Sequence, residues 1–73
     1  MKYTIKKDMK SRARLTKGFV NLLKDDVDYI CKDADRYDLF NISDSIYEAK
    51  RTTMKIMENL EVLENIVDMS REE

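Results

Sequence analysis

An all-α fold, built as an antiparallel hairpin of two long helices, is predicted by three features of the sequence. The chain has 73 residues with one glycine and no proline, so β architectures punctuated by tight turns have almost no material to work with. Apolar residues recur at alternating steps of three and four over two long stretches, which is the heptad spacing of packed helices. A single interruption, Asp38-Leu39-Phe40-Asn41, separates the two stretches. The length is near the lower bound for an independently folding unit, so one helical domain spanning 1–73 is expected.

Taken in order, residues 1–5 read as a flexible basic N-terminus and helix one as about 6–37. Its seam is Met9, Ala13, Thr16, Val20, Leu23, Val27, Ile30, Ala34 and Tyr37. Gly18 is the weak point, since glycine costs about 1 kcal/mol relative to alanine inside a helix. A break there would give three helices in place of two, although the seam passes through it without a phase shift. With no glycine at the turn, helix one is expected to end frayed or in a 3₁₀ turn.

Helix two is expected over about 42–69, followed by a frayed tail at 70–73. Asn41 or Ser43 can accept a backbone N–H as its N-cap, and Ser45 with Glu48 has capping-box spacing. The second seam is Ile42, Ile46, Ala49, Thr53, Ile56, Leu60, Leu63 and Val67.

A hairpin buries one stripe from each helix, which rarely offsets the ordering entropy of about sixty helical residues. Extra apolar rows are present: Leu15, Phe19 and Leu22 on helix one, and Tyr47, Met54, Met57 and Ile66 on helix two. Burial of these rows in a homodimer, two hairpins forming a helical bundle, is the expectation. The alternative is that Leu15, Phe19 and Leu22 form the interface for a partner protein.

Charge is distributed unevenly. Residues 1–17 carry seven basic side chains against the single acid Asp8, a net of +6, whereas the other 56 residues carry seven basic and fourteen acidic groups, a net of −7. Lys7, Lys10, Arg14 and Lys17 recur at helical steps and project from one side, with Lys6 and Arg12 beside them. Such a ridge can lie along phosphates and release their counterions. Lys6, Lys7, Lys10, Arg12, Arg14 and Lys17 are therefore the candidate nucleic-acid-binding residues. No recognition-helix or RNP-type pattern accompanies them, so sequence-specific readout is not expected. Most of the opposing acids, Asp25 to Asp38 with Asp44 and Glu48, are expected to point away from the seam as a solubilising pole or a dock for a basic protein.

Several functions are excluded on chemistry. Without histidine and with one cysteine, the chain cannot assemble a Ser-His-Asp or Cys-His set, a zinc-finger ligand group or a disulfide framework. No catalytic residue, metal ligand or cofactor is assigned, and the chain reads as a non-enzymatic accessory or regulatory protein. The span from Asp33 to Asp44 has the length of an EF-hand loop but places Asp38 where the sharp turn requires glycine, and Asp44 where a bidentate glutamate is needed. Cys31 falls in the helical apolar pattern and is expected to be a buried thiol. No run of about 18 apolar residues could span a bilayer, and no secretory leader opens the sequence, so a cytoplasmic location is expected.

Overall fold

The computed structural model of the chain describes residues 2–71. Helix α1 runs Lys2–Asp35 and helix α2 runs Leu39–Arg71. They fold back on each other as an antiparallel hairpin measuring 54 × 15 × 12 Å. Both exceed the expected spans: α1 takes in 2–5, read as flexible, and stops at Asp35, while α2 begins at Leu39 and includes Ser70 and Arg71 of the predicted tail. Met1, Glu72 and Glu73 lie outside the described residues.

Helix α1 passes Gly18 without a break, so the chain is a two-helix hairpin. Gly18 stands on the outer surface, and a Cβ placed there meets nothing within 4 Å. Its cost is thus confined to backbone entropy, which the flanking turns tolerate.

The turn is tighter than a frayed end. The Tyr37 N–H donates to the Ala34 carbonyl at 3.1 Å and the Asp38 N–H to the Asp33 carbonyl at 2.9 Å. This pair of bonds is a Schellman motif, which places Tyr37 in the left-handed region at φ 55°. The αL position usually given to glycine is occupied here by a tyrosine. Asp38 then caps α2: its Oδ1 accepts the Asn41 N–H at 3.1 Å and its Oδ2 accepts from Asn41 Nδ2 at 2.6 Å. The expected caps do other work, since Asn41 is the third helical residue and Ser43 Oγ donates back to the Leu39 carbonyl at 3.0 Å. One residue, Asp38, closes the first helix and opens the second.

The seam shares only half of its residues with the predicted stripes. Met9, Thr16, Leu23 and Ile30 face Ile42, Ala49, Ile56 and Leu63, all half-buried as expected. The row beside them on α1 is Ile5, Arg12, Phe19, Asp26 and Asp33, in place of Ala13, Val20, Val27 and Ala34. On α2 it is Ser45, Thr52, Asn59 and Ile66, in place of Ile46, Thr53, Leu60 and Val67. Cross-seam hydrogen bonds explain this choice of flank. Ser45 Oγ donates to Asp33 Oδ2 at 2.9 Å, Thr52 Oγ1 to Asp26 Oδ2 at 3.1 Å, and Arg12 Nη1 to Asn59 Oδ1 at 2.9 Å. Asp26 and Asp33 therefore belong to the seam and not to an outward acidic pole.

Among the described residues Asn59 alone is buried, at 6% exposure, and no apolar side chain is. Its amide is satisfied at both ends, because Nδ2 donates to the Lys55 carbonyl at 2.8 Å while Oδ1 accepts from Arg12. Lys55 Nζ also lies 5.7 Å from the Phe19 ring centre, closing the seam from above. Cys31, expected to be buried, is exposed, since one residue beyond Ile30 turns it about 100° off the seam.

Candidate nucleic-acid interface

The hairpin presents the first half of α1 as a straight basic edge. Lys6, Lys7, Lys10, Arg14 and Lys17 are all exposed, and four of them line one shallow depression together with Ser11. From Lys7 to Lys17 the helix rises about 15 Å, at 1.5 Å per residue, which matches roughly four phosphates at 3.4 Å of axial rise per nucleotide of one strand. Arg12 is separated from this group. It turns into the seam, where Asn59 holds its guanidinium, so it positions α2 against α1 and does not project with the other cations.

Among the described residues no acid forms an ion pair with the edge. Among the described residues the one ion pair is Arg51 with Glu48 at 3.8 Å, an exposed contact on α2 far along the hairpin. Among the described residues the acids at this end are Asp8, on α1 itself but off the basic edge, and Glu58, Glu61, Glu64 and Asp68, brought there by the antiparallel return of α2. The helical spacing of the last four keeps them on the outer surface of α2. The charge separation that the sequence shows between its two ends thus becomes, at the open end of the hairpin, a separation between the outer surfaces of the two helices.

The described aromatic side chains stand elsewhere. Tyr37 and Phe40 are exposed at the turn, and Tyr29 and Tyr47 on the helix surfaces near it, with Lys32 Nζ 5.5 Å from the Tyr29 ring centre. None of these four lines the basic depression, which among the described residues holds cations and Ser11. The three predicted partner-interface residues divide. Phe19 is half-buried in the seam beneath Lys55, while Leu15 and Leu22 remain exposed beside it on the polar side of the hairpin.

Sequence reasoning missed two features. The first is the structural use of Arg12, for which the signal was the seven-residue recurrence Ile5, Arg12, Phe19, Asp26, Asp33. The second is an apolar groove on the side of the hairpin opposite the cross-seam hydrogen bonds, lined by Leu23, Val27 and Ile30 of α1 and Ile46, Ala49, Thr53 and Met54 of α2, with Lys50 at its rim. Among the described residues no cluster of three metal-ligating side chains forms, and no helix is long and apolar enough to cross a membrane. No family model, curated protein or solved structure matches the chain.

Proposed function

We propose that the chain is a small non-enzymatic accessory protein that contacts nucleic acid through Lys6, Lys7, Lys10, Arg14 and Lys17. The observation that supports this reading is that five cations share one exposed helix edge without an acidic partner in the described part of the chain. Cations left unpaired on a rigid support are suited to phosphates, because contact displaces condensed counterions at little ordering cost in the protein. Among the described side chains beside them none is a base-stacking ring, which favours contact with the backbone over contact with sequence. Arg12 leaves the contact set and acts as a seam residue.

Charge reversal tests the proposal. Replacing Lys10, Arg14 and Lys17 by Glu should abolish binding to a fluorescent single-stranded RNA and to duplex DNA at low salt. Helicity by circular dichroism should be unchanged, since none of the three enters the seam. Binding that survives the reversal would remove this edge as the contact.

A second reading, a protein-binding inhibitor or adaptor, is favoured by the exposure of Leu15 and Leu22 next to Phe19. It expects that Leu15→Ser with Leu22→Ser loses a captured protein that the charge-reversal variant retains.

A further inference from the structure

We infer that the apolar face opposite the cross-seam hydrogen bonds is the docking surface for a second copy of this chain. The face combines the central seam rows with the flank that the hairpin contact leaves outside, represented by Val20, Val27, Ile46, Leu60 and Val67. These flank residues are exposed, Val27 at 45% and Leu60 at 51%. From Met9 to Ala34 and from Ile42 to Val67, none of the positions in these rows is charged, in a chain that is 40% charged. A solvated surface would not exclude charge over two helices of this length.

Surface area identifies the occupant. The chain exposes 6235 Å², whereas a monomer of 8.7 kDa with ordinary compactness exposes about 4,700 Å². Its radius of gyration is 16.6 Å, against about 11 Å for a globular chain of 73 residues. Two copies merged into one body of ordinary compactness would remove about 4,600 Å² in total, a ceiling for a bundle that keeps the 54 Å length of the hairpin. That ceiling leaves room for the burial of an obligate homodimer, which begins at about 2,000 Å². A second hairpin also matches the face in length and shape, because it presents the same two uncharged helical stripes.

This arrangement explains the polar row. With the apolar face turned inward, the half-buried Arg12, Asp26, Asp33, Ser45 and Thr52 lie on the solvent side of each hairpin seam, Asn59 being buried beside Arg12, and hydrogen bonds there can set its register without desolvating a charge fully. Leu15 and Leu22 lie on that same outer side and take no part in the dimer.

The assignment is independent of nucleic-acid binding: a dimer that binds no polyanion would leave it standing. Sedimentation equilibrium of the full chain should give twice 8.7 kDa at micromolar concentration, and the thermal midpoint should rise with protein concentration. Leu60→Ala should raise the dimer dissociation constant about tenfold or more. Val27→Glu should give a monomer or an unfolded chain, and Leu22→Glu should remain dimeric. A wild-type chain that sediments at 8.7 kDa and unfolds cooperatively at a midpoint independent of concentration would overturn the assignment. So would dissociation by Leu22→Glu with Leu60→Ala and Val27→Glu remaining fully dimeric.

Discussion

Replacing Tyr37 by glycine should make the protein more stable. Tyr37 holds φ 55° because the Schellman bonds from Tyr37 to Ala34 and from Asp38 to Asp33 need a left-handed residue between the helices. For a residue with a Cβ that conformation costs about 1 to 2 kcal/mol. Glycine removes the clash but adds freedom to the unfolded chain, a loss of about 0.4 to 1 kcal/mol. The ring itself is 79% exposed, so little apolar burial is lost with it. The net expectation is a gain of about 0.8 kcal/mol, within bounds of about 0 and 1.6, read as a rise in urea midpoint at constant m-value. Protein concentration must be held fixed, because self-association contributes to the midpoint. Tyr37→Ala is the control: it removes the ring and keeps the Cβ, and should gain nothing. A loss of stability in Tyr37→Gly, or an equal gain in Tyr37→Ala, would refute backbone strain as the cause.

Other substitutions separate the roles given to neighbouring residues. Asp38→Ala removes the N-cap of α2 and should cost about 1 kcal/mol in the same assay, while Ser43→Ala should cost little. Arg12→Met leaves the buried Asn59 Oδ1 without its donor and should destabilise by about 1 to 3 kcal/mol; Arg14→Met, two residues away on the outer edge, should leave stability unchanged and weaken polyanion binding. Gly18→Ala has open space around its Cβ and should gain up to about 1 kcal/mol, with a loss pointing to an unseen contact there.

The all-α hairpin, the position of its turn and the central row of each seam were legible in the heptad spacing, because that row is apolar or small at every step from Met9 to Ile30 and from Ile42 to Leu63. The second row was not. A helix with apolar residues on both sides of its central row can pack through either flank, and hydrophobic periodicity favours Val20 and Val27 over Asp26. What decides is pairing across the seam, where Asp26 meets Thr52 and Asp33 meets Ser45, and such pairing depends on register between helices. The uncharged flank kept its meaning but changed its place, from the hairpin seam to an open face.

The turn shows a similar limit. Asp38 is an N-cap by residue type, yet it lies inside the interruption, and only the left-handed turn at Tyr37 brings its carboxylate over the first N–H groups of α2. The basic edge was legible from spacing, apart from Arg12. The acidic surface beside it was not, because linear distance places Glu58 to Asp68 far from Lys6 and the antiparallel return brings them to the same end.

The salt dependence of polyanion binding tests the basic edge most directly. If the edge neutralises about four phosphates, log Kobs against log salt concentration should fall with a slope of about −3 to −4, and Arg14→Gln should reduce that slope by about one. Binding that is absent at low salt, or a slope unchanged by Arg14→Gln, would contradict the account.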